Sequence, residues 1–294
     1  MKNTNYLVWS YIFILPALAL FFLMTFYPVI QAALMAFYSY DPFRGGSMGN
    51  PIFVGFDNFK EVLSDVIFWK SIKNTLIYTF FVVPVTTVIT LFLAYFITPL
   101  HRKWQTFFKS VFYLPSIASD AVIALIWFWI FNPMFGLLNY FLSFFGLGPI
   151  FWLGDTNWAL FSIILMMSVS YWGMNVIIFT VAFDNIPNSL YEAADIDGAT
   201  FTQKFFRISL PMIKPTILFI LVMGTINALQ IFTPMYMMTQ GGPNYATTSV
   251  VYLIYETAFR NQRLGIAAAQ SFILFLIIIV FTILQFKIVQ TEQD

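Results

Sequence analysis

The sequence has 294 residues, of which 60% are hydrophobic and 9% are charged. Soluble domains carry about 25% charged residues, so this composition excludes a soluble globular protein and predicts an all-α integral membrane protein. The formal net charge of +1 gives no basic surface field of the kind that nucleic acid requires.

The residue inventory also limits the chemistry. The chain has no cysteine and a single histidine, His101, which excludes disulfides, thiol nucleophiles, thiolate metal sites and any two-histidine zinc site. No glycine is followed by lysine, so the chain has no Walker A phosphate loop. We therefore expect no catalytic residue, metal or cofactor on this chain, and any ATP chemistry must come from another one.

Six apolar stretches are each long enough to cross a bilayer, which takes about 20 residues. They predict one transmembrane domain over 1–294 with spans at approximately 6–37, 75–99, 110–131, 158–183, 215–238 and 265–288. Pro16 and Pro28 should kink or bound the first span, because proline removes a helix hydrogen bond.

The segments between the spans are more polar. Residues 58–69 have the spacing of a helix at the membrane surface, with Asn58 and Glu61 as a capping pair. Residues 132–157 form a loop rich in glycine and proline, and Thr247–Arg263 is assigned to the surface because its apolar part is short. A polar tail follows the sixth span at 291–294.

Residues 184–214 form a charged loop between the fourth and fifth spans. Ser189 with Glu192, and Thr200 with Gln203, have capping-box spacing, which predicts two short helices. Gly198 should end the first helix, since glycine adopts the left-handed C′ conformation without penalty, and Pro211 with Pro215 should end the second.

This loop carries a resemblance to a known family. Seven positions within twenty residues match the EAA loop of type I permease subunits of binding-protein-dependent ABC importers. They are Glu192, Ala193, Ala194, Gly198, Ile208, Leu210 and Pro211, with Asp197 beside them. The pattern Gly241-Gly242-Pro243, Tyr255, Ala258-Phe259 and Gly265 resembles the carbohydrate-uptake branch, so the resemblance covers most of the chain.

The resemblance implies a six-span permease fold whose loop at 184–214 is cytoplasmic and docks on a separate ATPase dimer that binds ATP and Mg²⁺. Further implied partners are a second homologous permease subunit and an extracytoplasmic solute-binding protein, in the plasma membrane of a prokaryote with both termini cytoplasmic. The cargo would be a di- or oligosaccharide. Glu192 would pair with a basic residue of the ATPase; the alternative role is capping with Ser189.

Polar and aromatic groups inside apolar spans should face water, substrate or another helix. We expect the substrate pathway to include two clusters of such residues and one carboxylate. They are Tyr171, Trp172, Gly173 and Asn175 in the fourth span, Asn227, Gln230, Phe232 and Thr233 in the fifth, and Asp120 in the third.

Each of these residues also has a simpler reading. An amide can serve only an interhelical hydrogen bond, worth about 0.6 kcal/mol in membranes. Asp120 is placed near the middle of the third span, where a charge costs roughly 2.5 to 3.5 kcal/mol. Two roles are therefore open. Asp120 either contacts the sugar or a gate, or it forms a hydrogen bond to the second membrane subunit or faces a water-filled crevice.

Three other functions compete. A secondary transporter would place several ionisable groups in its spans, and a membrane enzyme would need paired carboxylates or a nucleophile with its base; only Asp120 is found. Within the importer family, glycerol-3-phosphate or a related polyol phosphate is the alternative cargo. A dianion favours a basic cavity residue, which no span supplies.

Overall fold

A computed structural model describes residues 2–40 and 50–290, so the predicted polar tail at 291–294 lies outside the described residues. The described part is mostly helical, as predicted, and adds one small antiparallel sheet in which Tyr38 pairs with Phe53 and Ser39 with Ile52. The chain divides into two compact units, residues 1–68 with 254–275 and residues 69–253 with 276–294.

The elements of the first third are as follows. They are α1 (Lys2–Phe21), a π-helical turn (Phe22–Phe26), α2 (Tyr27–Met35), β1 (Tyr38–Ser39), β2 (Ile52–Phe53), α3 (Asp57–Ser64) and α4 (Val66–Ile97).

Shorter helices dominate the remainder of the chain. They are α5 (Arg102–Tyr113), a 3-10 turn (Leu114–Ile117), α6 (Asp120–Ile130), α7 (Leu137–Ser143), α8 (Ala159–Ser170), α9 (Gly173–Asp184), α10 (Asn188–Ile196), α11 (Phe201–Lys204), a π-helical turn (Phe205–Ser209), α12 (Leu210–Met212), α13 (Lys214–Leu229), π-helical turns at Met235–Thr239 and Glu256–Arg260 on either side of α14 (Val250–Tyr255), and α15 (Leu264–Gln290).

Helical structure continues from Lys2 to Met35, so neither proline bounds the first predicted span, although a π-helical turn interrupts the α-helix shortly before Pro28. Pro16 lies inside α1, and α2 begins one residue before Pro28. The π-helical turn ends directly before α2, where Tyr27 donates its backbone N–H to the Phe22 carbonyl. A wider turn of this kind lets a helix continue past a proline that cannot donate to its own i−4 carbonyl.

In the smaller unit, Asn58 is a packing residue and does not cap α3. Its side-chain amide donates to the carbonyl oxygens of Ala36 at 2.9 Å and Tyr38 at 3.0 Å, and the side chain is buried. The cap position of α3 is Phe56, so the predicted Asn58–Glu61 pair is wrong. Glu61 instead forms an ion pair with Arg263 at 2.7 Å.

The third and fourth predicted spans are broken helices, and a third bend lies directly before the fifth. Three single helices are long and apolar enough to cross a membrane, over Tyr11–Met35, Val66–Ile97 and Leu264–Lys287. Three bent pairs reach the same length together, with bends of 92° before Asp120, 45° before Gly173 and 67° before Lys214. Among the described residues this makes up to six membrane-crossing segments.

The larger unit has a core in which Tyr78 of α4, Ile163 and Met166 of α8, and Met235 pack together. The segment after Gly242 is part of this core, so its assignment to the surface is wrong for residues 247–249, which are fully buried. Asn74 holds the segment in place, since its amide donates to the carbonyl oxygens of Tyr245 at 2.9 Å and Thr248 at 3.1 Å.

Candidate functional site

A cavity of about 630 Å³ lies within the larger unit, among α4, α9, α13 and the helix breaks before α6, before α9 and after α13. Seven of the nine residues predicted for the substrate pathway line it. They are Asp120, Tyr171, Asn175, Asn227, Gln230, Phe232 and Thr233. Most of the polar residues that were predicted to face a pathway therefore line one cavity.

Asp120 and Tyr171 form the polar centre of the cavity. The Tyr171 hydroxyl donates to Asp120 Oδ1 at 2.9 Å, and both residues stand at helix breaks. Tyr171 adopts φ −121° and ψ 58° between α8 and α9, outside the helical region. This hydrogen bond links the break in the third predicted span to the break in the fourth.

Asp120 lies at a break in the third predicted span, and not within a continuous helix. Ala118 and Ser119 are extended, and Ser119 Oγ accepts the backbone N–H of Val122 as the N-cap of α6. Asp120 is consequently the first residue of α6 and is exposed to the cavity. A carboxylate is stabilised at this position by the partial positive charge of the helix N-terminus.

Trp172 and Gly173 do not line the cavity. Gly173 packs against the backbone of α5, where an added Cβ would lie 2.4 Å from Tyr113 Cα. The Trp172 ring lies 6.0 Å from that of Phe112, and its indole N–H donates to the Ser168 carbonyl. Both residues therefore support the break between α8 and α9 from the side opposite the cavity.

The fifth predicted span, 215–238, is also broken. Helix α13 ends at Leu229, and the chain is irregular from Gln230 to Phe232 before helical structure resumes. Beyond the break, the rings of Phe232 and Tyr236 are stacked with centroids 5.3 Å apart. This break exposes Gln230 to the cavity.

Sequence reasoning missed the contribution of α4. Tyr78 and Thr86 line the cavity, although Tyr78 is only 1% exposed. Thr86 satisfies its hydroxyl by donating to the Val82 carbonyl at 2.7 Å. Tyr78 is a tyrosine inside an apolar span, as Tyr171 is, so the sequence already contained the signal that would have identified it.

The loop at 184–214 connects two cavity-lining helices, because α9 precedes it and α13 follows it. Its first helix, α10, begins at Asn188 with Pro187 at the cap position and no side-chain cap, so the predicted Ser189–Glu192 capping box is wrong. The predicted stop at Gly198 is confirmed. Gly198 has φ +71°, and Ala199 donates to the Ala194 carbonyl while Gly198 donates to Asp195, which is a Schellman motif.

The second helix of the loop begins with the predicted capping box. Thr200 Oγ1 accepts the Gln203 backbone N–H, and the Gln203 side chain accepts the Thr200 N–H at 2.7 Å. The helix ends at Met212, one residue after Pro211 and before Pro215, as predicted, and the chain bends by 67° before Lys214. Pro215 lies in the first turn of α13 and starts the next helix.

The loop is fixed to the helices that carry it. Tyr95, near the end of α4, packs with ring centroids 4.6 Å from Phe205 and 4.9 Å from Phe201. The hydroxyls of Tyr191 and Ser209 lie 2.8 Å apart and join the two loop helices. Lys204 forms an ion pair with Asp195 across the same junction.

The residues of the EAA pattern divide between two faces. Ile208 and Leu210 are half-buried and pack on the cluster around Tyr95. Ala194 is also half-buried, and the other pattern residues are exposed. The exposed residues are Glu192, Ala193, Asp197, Gly198 and Pro211. Ile196, between them, is 88% exposed. Glu192 makes no hydrogen bond or ion pair within residues 2–40 and 50–290.

Comparison with known proteins agrees with this architecture. Residues 87–291 match the family described as binding-protein-dependent transport system inner membrane component. The chain is 34% identical to the sn-glycerol-3-phosphate transport system permease protein UgpA of Pectobacterium atrosepticum, covering 96% of this chain and 94% of that protein. It is 31% identical to the arabinooligosaccharides transport system permease protein AraP of Bacillus subtilis, covering 95% and 87%.

A solved structure shares the fold. A chain from the bacterial alginate ABC transporter, in complex with alginate pentasaccharide-bound periplasmic protein, superposes with a TM-score of 0.82 over 97% of this chain and 94% of that one, at 25% identity. The six-segment permease fold expected from the resemblance is therefore confirmed. The chain is a multi-pass membrane protein that belongs to the family of binding-protein-dependent transport system inner membrane components.

Proposed function

We propose that this chain forms half of the pathway for ATP-driven uptake of a di- or oligosaccharide, which an extracytoplasmic binding protein delivers. A second homologous permease would complete the pathway, and a cytoplasmic ATPase dimer would bind ATP and Mg²⁺. Both termini would lie in the cytoplasm, on the side of the loop at 184–214. The relatives AraP and the alginate transporter, which are named for oligosaccharide and alginate transport, support the saccharide.

One observation carries this proposal: the loop is inserted directly between two helices of the cavity wall. Helix α9 contributes Asn175 and helix α13 contributes Asn227 to the cavity, and the loop joins the other ends of both helices. The aromatic cluster at Tyr95 connects the loop to α4, which also lines the cavity. A displacement of the loop would consequently move three walls of the cavity together.

The exposed face of the loop fits a docking role. Ile196 presents an isolated apolar side chain, and Glu192 presents a carboxylate one turn before it. Ala193 beside Glu192 is small and exposed, so another backbone can approach closely. An exposed apolar side chain next to a carboxylate suits a groove on the ATPase that is lined by apolar residues and has a basic residue at its rim.

The cavity suits a saccharide. Its described lining combines amide and hydroxyl groups with the faces of Tyr171 and Phe232, and sugars present both hydroxyls and flat C–H surfaces. An ion-coupled transporter is disfavoured because Asp120 is the one carboxylate among the described lining residues. A polyol phosphate remains the alternative cargo, since UgpA is a relative.

The experiment is uptake into proteoliposomes that contain the complete importer. Uptake driven by enclosed ATP, and abolished when the ATPase subunits are omitted or an ion gradient replaces ATP, is the expected result. Saccharide accumulation by this permease without any ATPase would refute the proposal. A purification that yields this chain without a second permease or an ATPase would refute the proposed partners.

A further inference from the structure

The charged groups of the cavity wall indicate which class of cargo the cavity accepts. Asp120 places a carboxylate in the cavity wall, and none of the described lining residues is lysine, arginine or histidine. The relatives include permeases for anionic cargo, glycerol-3-phosphate and the acidic polysaccharide alginate. Sites that bind phosphate or carboxylate groups generally supply cationic donors.

From this contrast we propose that Asp120 is a specificity-determining residue, which makes the cavity selective for saccharides without acidic groups. The inference rests on the proposed function, because it names the class of sugar that the pathway accepts. The carboxylate acts in two ways: it accepts hydrogen bonds from sugar hydroxyls, and it repels phosphate, sulfate and carboxylate groups.

The geometry makes Asp120 available for the first role. Tyr171 donates to Oδ1 at 2.9 Å, whereas Oδ2 receives no hydrogen bond from the residues that the structure describes. Tyr171 thereby holds one oxygen and leaves the other for a ligand. An acceptor of this kind suits a hydroxyl donor and offers nothing to a fully ionised phosphate, which has only acceptor oxygens.

The second role follows from the walls around the carboxylate. Most of the lining is apolar, with Val82, Ile220, Met223 and Ile231 near the polar groups. Low-dielectric walls focus the field of a charge into a cleft and change local ion concentrations about tenfold or more. A single unopposed carboxylate therefore makes the interior of the cavity cation-attracting and anion-repelling.

Because this chain contains no cysteine, a single introduced thiol can be followed through the mass increase of this chain when the reagent modifies it. Asn227→Cys places one thiol on the cavity wall, and its reaction rates with methanethiosulfonate reagents bearing a sulfonate or a trimethylammonium group are compared in membranes containing the complete importer. Each rate is divided by that of a free thiol in solution. We expect the cationic reagent to be favoured about tenfold.

The same ratio is then measured with Asp120→Asn, and with Asp120→Ser as a second variant that keeps a small polar side chain at the first position of α6. Both substitutions should bring the ratio close to that of the free thiol. The matched control is Asp155→Asn, which removes a carboxylate of the same unit that does not line the cavity. Among the described residues the Asp155 side chain bonds only the local N–H of Asn157, so this variant should leave the ratio unchanged. Thr233→Cys, also on the wall, repeats the measurement at a second position.

Two results would overturn the inference. One is a ratio that Asp120→Asn and Asp120→Ser leave at the wild-type value. The other is a wild-type cavity that favours the anionic reagent, which would show that the assembled importer supplies an opposing cation. Neither result depends on transport, so failure here is distinguishable from failure of the proposed function, which is tested by ATP-driven uptake.

Discussion

Gly173 makes a close backbone contact with α5 beside the break between α8 and α9, and Gly173→Ala should destabilise the protein. An added Cβ would lie 2.4 Å from Tyr113 Cα and 2.7 Å from the Phe112 carbonyl oxygen. Ordinary heavy-atom contacts are about 3.5 to 4.0 Å, so α5 and α9 would have to separate by about 1 Å. The obstacle is the backbone of α5, which cannot rotate away as a side chain can.

The magnitude is a balance of two effects. Alanine is intrinsically better than glycine in a helix by about 0.8 to 1.0 kcal/mol in the interior, and by less at the first position of α9. Overpacking a well-packed contact costs typically about 1 to 3 kcal/mol. The steric cost exceeds the gain in helix propensity, and we expect a net loss of about 1 to 2 kcal/mol in the free energy of unfolding. This loss lowers the melting temperature by the order of 5 °C.

The assay is thermal unfolding of the purified chain in detergent, with two other glycines as graded controls. Gly148→Ala meets no atom within 4 Å, and Gly224→Ala meets a methyl group of the Val83 side chain at 3.3 Å. The expected order of melting temperatures is Gly148→Ala above Gly224→Ala above Gly173→Ala. A Gly173→Ala protein as stable as Gly148→Ala would refute the close packing of α9 on α5.

Three further predictions concern the loop at 184–214. Glu192→Gln should leave the melting temperature unchanged, because Glu192 makes no hydrogen bond or ion pair within the described chain. The same variant should lower the salt concentration at which the ATPase dissociates during co-purification. An unchanged salt tolerance would contradict the pairing of Glu192 with the ATPase. Gly198→Ala should cost about 1 kcal/mol, because an L-residue at φ +71° is strained, while Gly198→Asn costs less; equal stability of the two variants would contradict that cause. Thr200→Ala removes the capping box and should cost about 0.5 to 2 kcal/mol, whereas Thr202→Ala, in the following turn, serves as its control in the same thermal measurement.

The sequence by itself determined the features that depend on a few neighbouring residues. Apolar runs long enough to cross a bilayer predicted the membrane class and the helical fold. Local capping chemistry predicted the helix start at Thr200 and the stop at Gly198, because each needs only hydrogen bonds within three to five residues. The expectation for polar residues in spans also holds for Asn175, Asn227 and Gln230, which meet in one cavity.

Tertiary structure decided where the spans break and what each polar group contacts. A break is favourable only when a neighbouring segment packs into it, as the backbone at Tyr113 does at Gly173, and no local pattern carries that information. The same is true of Asn58, whose partners lie 20 and 22 residues away, and of the bond between Asp120 and Tyr171, which joins residues 51 apart. Such contacts depend on how the helices pack, and this is why a residue assigned to the middle of a span proved to stand at the start of a helix, facing the cavity.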